Sequence, residues 1–220
     1  MLIQEGETMI ANRVWKADYA AYLRGKKITV FGDSITKGLY LENGHIRRIG
    51  QSAVSILSQT FDFTADNYSA FGQTLKKCWE KGFFERFLQE SERGDMLAVA
   101  LGGNDCDYRW EDVAASPLSQ HFPHTPMPEF TDILHRAISL LKRNGRIPVF
   151  FSLPPIDSER YFKKVICSRA DGERVMQFFR GDVTNIARHQ AAYNDAVLKA
   201  ALGNGCLFLD FRTDLLLMTD

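Results

Sequence analysis

The feature that most limits the fold is an uninterrupted run of apolar residues near the middle of the chain. Residues 96–101 read Met-Leu-Ala-Val-Ala-Leu, with no polar side chain at any position. A strand is apolar on both sides when both faces of its sheet are covered, which is typical of parallel sheets flanked by helices. The run therefore predicts a central strand of an α/β protein.

Four further runs are typical of strands, and stretches with helical periodicity separate them. The other predicted strands are residues 28–31, 61–67, 147–153 and 206–211, of which 61–67 alternates as an edge strand does. The predicted helices between the strands are residues 46–57, 75–88, 130–141 and 186–202. Repeated strand–helix–strand units predict a three-layer α/β/α sandwich with right-handed crossovers.

The N-terminal segment predicts one more helix. Apolar residues recur there at helical spacing, and Gly25 is a suitable stop; they are Met9, Val14, Trp15, Tyr19, Tyr22 and Leu23. Residues 1–27 contain early acidic residues and no apolar core of signal-peptide length. Because no stretch approaches the ~20 apolar residues that span a bilayer, we expect a cytoplasmic protein with no membrane partner.

Length and composition indicate one ordinary globular domain. The 220 residues are 45% apolar and 25% charged, without internal repeats or a low-complexity linker, so we treat 1–220 as a single domain. Lys and Arg total 27, and so do Asp and Glu, which argues against nucleic acid as a partner. The four cysteines are too widely spaced to suggest a disulfide framework or a zinc site, and we expect no metal; they are Cys78, Cys106, Cys167 and Cys206.

Glycine and small polar residues follow the predicted strands, at the sheet edge where open parallel sheets bind ligands. Ser34, beside Gly32, can project its hydroxyl above the sheet at the start of a helix, as a nucleophile or as a simple helix cap. A serine that attacks an acyl group creates an oxyanion, which needs fixed hydrogen-bond donors. The Gly72 N–H, the Asn104 side-chain amide and the Ser34 N–H are the candidates.

These residues resemble a known family. Gly32-Asp33-Ser34, then Gly72, then Gly103-Asn104-Asp105 are similar in order and placement to the first three sequence blocks of the SGNH (GDSL) hydrolases, and the resemblance spans residues 27–211. It implies a flavodoxin-like, five-stranded parallel sheet of order 2-1-3-4-5 and the hydrolysis of esters. It also implies that Ser34 is the nucleophile and that Ser34, Gly72 and Asn104 form the oxyanion hole. Residues 153–162 resemble a bacterial subgroup of esterases and acylhydrolases.

The sequence departs from the family pattern at its end. Family members carry an Asp-x-x-His block after the last strand, in which the histidine is the general base. Here residues 211–220 follow the last predicted strand, and no histidine occurs after His189. We therefore expect that the chain is cut short before this block, that Asp220 is not the triad aspartate, and that the chain as given is nearly inactive.

Several residues near the expected site could contact a substrate, which we expect to be a small ester such as an acetylated sugar. They are Asp33, His45, Tyr108 and Trp110, with His121, His124 and Phe122 as further candidates. His135 and His189 fall in helical patterns and are interpreted as packed or solvated. Residues 106–128 carry four prolines and predict a loop over the site, with one short turn at 111–115. Its aromatic residues could form an apolar wall or anchor the loop.

Other interpretations remain open. Asp33 and Asp105 could simply accept backbone hydrogen bonds in their own loops. The aromatic residues after the fourth strand could line the site or pack, and Arg160 could pair with Asp157 or with an acidic substrate.

Two further functions are alternatives to the esterase. A catalytically silent relative could bind a glycan or a partner. A flavodoxin-like domain could bind a nucleotide or flavin, but no GxGxxG or GxxxxGK[ST] follows the first strand, so we expect no cofactor. An α/β-hydrolase is excluded because no GxSxG elbow occurs.

Overall fold

A five-stranded parallel sheet forms the centre of the molecule. The computed structural model describes residues 21–42, 45–92 and 94–218. The strands of the sheet are β1 (Lys27–Gly32), β4 (Thr64–Asn67), β5 (Met96–Ala100), β6 (Val149–Phe151) and β7 (Leu207–Leu209). They lie side by side in the order β4-β1-β5-β6-β7, and every neighbouring pair is parallel. Counted within this sheet alone, the order is the predicted 2-1-3-4-5, with β4 at one edge.

Two antiparallel strands and nine helices complete the described chain. β2 (Leu39–Glu42) and β3 (His45–Arg48) form a separate hairpin. The helices are α1 (Ala53–Phe61), α2 (Leu75–Glu80), α3 (Phe83–Glu90), α4 (Trp110–Ala115), α5 (Met127–Arg143), α6 (Ser158–Tyr161), α7 (Gly172–Phe178), α8 (Asn185–Gly203) and α9 (Arg212–Leu217). A π-helical turn, Phe162–Ile166, follows α6. The α/β/α class predicted from the sequence is confirmed.

The described residues cover the two faces of the sheet unequally. Leu97, Val99 and Phe150 belong to the main apolar core, which also contains the buried faces of α5 and α8. On the other face, Val30 and Ala98 belong to a smaller cluster that packs against α1 and Leu23. There Leu207 and Leu209 of β7 remain 53% and 44% exposed and line a large cavity. Within the described ranges, the sheet therefore has an open apolar side that continues to its carboxyl edge.

The prediction of a helix over residues 46–57 is wrong in its first part. Residues 45–48 form β3, in which Ile46 pairs with Leu41 of β2. The helix begins only at Ala53, where the Ser52 side chain accepts a hydrogen bond from the Ser55 N–H. Backbone pairing to β2 therefore overrides the periodicity of this stretch.

The prediction of one helix over residues 75–88 is also wrong. α2 and α3 are separate because Gly82 between them has φ +66°, and an α-helix cannot continue through a left-handed residue. The segment after β6 contains α6, the π-helical turn and α7, none of which was predicted.

Two other predicted helices are confirmed within a few residues, as α5 and α8, and α4 is the predicted short turn in the loop over the site. Residues 21–23 are helical, and Gly25 follows them with φ +70°, as predicted. The rest of the predicted N-terminal helix, residues 9–20, lies outside the described residues.

Candidate active site

Ser34 lies in a turn at the carboxyl end of β1. The turn is held by the Asp33 carboxylate, which accepts a hydrogen bond from the Ile35 N–H at 2.9 Å, and by the Ser34 carbonyl, which accepts one from the Leu39 N–H at 2.8 Å. The chain then enters β2. The expectation that Ser34 begins or caps a helix is therefore wrong, because residues 34–38 form a turn.

The turn after β1 touches the loop after β4. The Thr36 hydroxyl donates to Ser69 Oγ at 2.9 Å. A β-carbon at Gly32 would overlap Thr36 Oγ1 and lie 2.7 Å from Ser69 Oγ, so only glycine allows this approach. The contact between the two loops thus explains the glycine at position 32, two residues before Ser34.

Asn104 lies after β5 and is held from two sides. Its side-chain Nδ2 donates to the Gln73 carbonyl at 3.0 Å, and its own carbonyl lies 2.9 Å from Nδ1 of His124. Asn104 and Ser34 line the same cavity. The structure therefore brings two of the three central site residues to one opening.

Gly72 lies in the loop after β4 and does not line that cavity. It adopts φ +63°, and its carbonyl accepts a hydrogen bond from Lys77 Nζ at 2.7 Å. The next residue, Gln73, donates from its side chain to the Gly32 carbonyl at 2.9 Å. The loop that carries Gly72 is thus in direct contact with both the Ser34 turn and Asn104.

The two aspartates of the motifs accept hydrogen bonds from their surroundings. Asp33 lines the cavity, and burial raises the pKa of its carboxyl. Asp105 is fully buried and accepts from the Leu75 N–H at 2.9 Å and the Thr125 hydroxyl at 2.8 Å. Burial raises its pKa from 3.8 to about 6, against the opposing effect of these hydrogen bonds. Asp105 therefore joins the loop after β5 to the start of α2.

The cavity is large and mostly apolar. Its volume is about 1370 Å³, and it extends from Ser34 along the open face of the sheet. Part of its wall consists of aromatic side chains from the loop over the site and from the segment after β6; they are Tyr108, Trp110, Tyr161, Phe178 and Phe179. Tyr108 and Phe178 pack edge to face, with ring centroids 5.5 Å apart. This wall is suited to the apolar or ring-shaped part of a ligand.

Some of the candidate substrate contacts line the cavity, and others do not. Tyr108 and Trp110 line the cavity, although Trp110 is buried in a local core. Phe122 is 63% exposed and does not line it. His45 lies on the exposed strand β3 and does not line the cavity, and neither do His121 and His124. Asp157 accepts from the Arg160 N–H and caps α6.

Two cavity residues were not singled out for the site from the sequence. His189 on α8 packs its ring 5.2 Å from Tyr108 and from Tyr193, and its Nε2 is buried with no hydrogen-bond partner among the described residues. Burial lowers its pKa, which favours the neutral ring. Asp107 accepts a hydrogen bond from Trp110 Nε1 at 2.9 Å, and burial raises its pKa. The three-residue spacing of Asp107 and Trp110 was the available sequence signal.

The described residues contain no cluster of three or more metal-ligating side chains. All four cysteines are free thiols, of which Cys167 is exposed. Across the described ranges, no helix is long and apolar enough to cross a bilayer.

A parallel sheet of this order, with a serine turn and an asparagine loop opening on one cavity at its carboxyl edge, defines a class of hydrolase-like α/β protein. The chain belongs to the GDSL-like lipase/acylhydrolase family, whose model matches residues 28–211. This membership favours the hydrolase interpretation over a nucleotide- or flavin-binding domain.

The individual relatives share low sequence identity with this chain. An isoamyl acetate-hydrolysing esterase of Saccharomyces cerevisiae is 26% identical over 181 residues, which are 80% of this chain and 66% of that esterase, so the chain spans about two thirds of its length. A catalytic mutant of an acetylxylan esterase from Geobacillus stearothermophilus has a similar fold, with a TM-score of 0.56, 15% identity, and coverage of 89% of this chain and 82% of that one. A lipase/acylhydrolase from Enterococcus faecalis matches with a TM-score of 0.52, 16% identity, and coverage of 88% and 80%.

Proposed function

We propose that the protein hydrolyses a small ester through an acyl-enzyme formed on Ser34. The observation that carries the proposal is that Ser34 and Asn104 line one cavity while their loops are joined through Gln73. Acyl transfer requires that the nucleophile and the donors that stabilise the oxyanion face the same carbonyl group, and the shared cavity supports Ser34 and Asn104 in these roles.

In the first step, Ser34 Oγ attacks the acyl carbon and the alcohol leaves; in the second step, water releases the acid from the serine ester. The oxyanion needs donors that are not otherwise used. An asparagine amide has two N–H donors, of which Asn104 uses one on the Gln73 carbonyl. Among the described residues, the main-chain N–H groups of Ser34 and Gly72 make no hydrogen bond. These three groups are therefore our proposed oxyanion hole.

A base must accept the proton of the Ser34 hydroxyl. His189 is the histidine that lines the cavity, but its ring packs against two tyrosine rings and its Nε2 is buried, so we do not assign it this role. The family resemblance assigns the base to the histidine of an Asp-x-x-His block. A protein without that base keeps only a residual acceleration, roughly 10³- to 10⁴-fold over water.

The proposed substrate is a short-chain ester, and acetate esters are the first to test. One relative is named for hydrolysing isoamyl acetate and another for acetylxylan. The aromatic wall of the cavity can pack against a branched alkyl group or the face of a sugar ring.

The test is the hydrolysis of p-nitrophenyl acetate by full-length protein. We expect Ser34→Ala to abolish hydrolysis above background because the nucleophile is lost. Ser168→Ala is a matched control, since Ser168 is an exposed serine whose hydroxyl bonds to the Val165 carbonyl away from the cavity. Retention of the full rate in Ser34→Ala would remove Ser34 from the mechanism. No hydrolysis of any short ester by the full-length protein would support the silent, ligand-binding alternative.

A further inference from the structure

Gln73 is a buried polar residue for which the proposed chemistry gives no role. It is 8% exposed and lies between Gly72 and the start of α2. Its side-chain Nε2 donates to the Gly32 carbonyl at 2.9 Å and to the Tyr68 carbonyl at 3.1 Å. Both amide hydrogens are therefore used inside the protein, which excludes a role of this nitrogen in binding substrate.

The main chain of Gln73 completes the connection. Its carbonyl accepts the hydrogen bond from Asn104 Nδ2 at 3.0 Å, and its N–H donates to the Ala70 carbonyl at 3.3 Å. A single residue thus bonds to the end of β1, to the loop after β4 and to the loop after β5. The Thr36–Ser69 hydrogen bond, by comparison, joins only the first two of these segments.

The segment on the other side of Gln73 is also fixed. Thr74 caps α2 by accepting from the Lys77 N–H at 3.0 Å, and the Asp105 carboxylate accepts from the Leu75 N–H at 2.9 Å. These hydrogen bonds restrict the movement of residues 73–75, and Gly72 directly precedes this segment in the chain. A displacement of the Gln73 side chain would be transmitted to the Gly72 N–H and to the carbonyl that holds Asn104.

We propose that Gln73 is a positioning residue, which fixes the Gly72 N–H and the Asn104 amide relative to Ser34. This inference rests on the proposed function, because it assigns those two groups to the oxyanion hole. Donors stabilise an oxyanion only when they are held in place before the charge develops. Loss of the Gln73 contacts should therefore slow the chemical step more than it weakens substrate binding.

The kinetic test is Gln73→Met, which keeps a side chain of similar length and removes both N–H donors. We expect kcat to fall by roughly 10-fold or more while KM stays within about twofold. Arg146→Met is the control: Arg146 Nη2 donates to the Ser91 carbonyl at 2.9 Å, near the amino ends of β5 and β6. The Arg146→Met variant also loses a hydrogen bond to the main chain, but far from Ser34. Its kcat should therefore match that of the unmodified protein. An unchanged kcat in Gln73→Met, an effect confined to KM, or an equal fall in both variants would overturn the proposal.

A second measurement does not depend on turnover. In NMR spectra of the protein labelled with ¹⁵N, the side-chain amide signals of Asn104 should shift and exchange faster with water in Gln73→Met, and should be unchanged in Arg146→Met. Identical Asn104 signals in all three proteins would refute the role of Gln73 even if the esterase proposal holds. Conversely, persistence of hydrolysis in Ser34→Ala would refute the proposed function, while the Asn104 signals would still decide the role of Gln73.

Discussion

At the scale of single residues, we propose two separate roles for the side-chain amide of Asn104. One N–H donates to the Gln73 carbonyl and holds the loop after β5 against the loop after β4. The second N–H is available to the oxyanion. Removing the side chain therefore removes both a proposed catalytic donor and a contact between loops.

We expect Asn104→Ala to lower kcat by roughly 10²- to 10³-fold, equivalent to about 3–4 kcal/mol of transition-state stabilisation. KM should change much less, because the donor acts on the charge that develops during the reaction. The comparison is Asn144→Ala, since the Asn144 amide bonds only to the Leu140 carbonyl at the exposed end of α5. Steady-state kinetics with p-nitrophenyl acetate provide the measurement, and an unchanged kcat in Asn104→Ala would exclude this side chain from the oxyanion hole.

At the scale of elements, the junction between the loop after β5 and the start of α2 depends on a buried carboxyl group. Asp105 bonds to the Leu75 N–H and to the Thr125 hydroxyl, and no part of it is exposed. Its pKa is raised from 3.8 to about 6 by burial. Because the folded state binds this proton more tightly than the unfolded state, the contribution of Asp105 to stability decreases as the pH rises through about 6.

The corresponding prediction concerns Asp105→Asn, which keeps the shape of the side chain but cannot titrate. On lowering the pH from 7 to 5, the free energy of unfolding of the unmodified protein should increase by about 1 kcal/mol relative to the variant. Urea unfolding at the two pH values measures this difference, and the contributions of other titrating groups cancel in the comparison. A difference of zero or of opposite sign would contradict the raised pKa.

At this scale, the hydrophobic pattern of the sequence is sufficient to predict some strands and helices but not others. The apolar run of residues 96–101 correctly predicted the central strand β5, because burial on both faces leaves a strong local pattern. The break at Gly82 and the pairing of Ile46 with Leu41 were not predicted. The break depends on the left-handed conformation of Gly82, and the pairing depends on a partner strand. The hydrophobic periodicity of a single stretch contains neither kind of information.

At the scale of the whole molecule, the sequence patterns predicted the parallel sheet, and the family resemblance implied its strand order. The grouping of Ser34 with Asn104 at one cavity followed from the rule that ligands bind at the carboxyl edge of a parallel sheet. The contacts of Gln73 and the burial of His189 among tyrosine rings could not be predicted, because they join segments that are distant in the chain. For the same reason the sequence did not distinguish Phe178, which lines the cavity, from Phe122, which does not.

The central claim is that Ser34 forms a covalent intermediate. The most direct measurement treats the protein with an activated p-nitrophenyl alkylphosphonate, in which attack by a serine hydroxyl releases p-nitrophenolate and leaves a stable phosphonyl ester, and then locates the adduct by peptide mass spectrometry. We expect one phosphonyl group per chain, on Ser34, and none on the Ser34→Ala variant. An adduct at another residue, or continued ester hydrolysis by protein that carries no adduct after prolonged treatment, would contradict the claim.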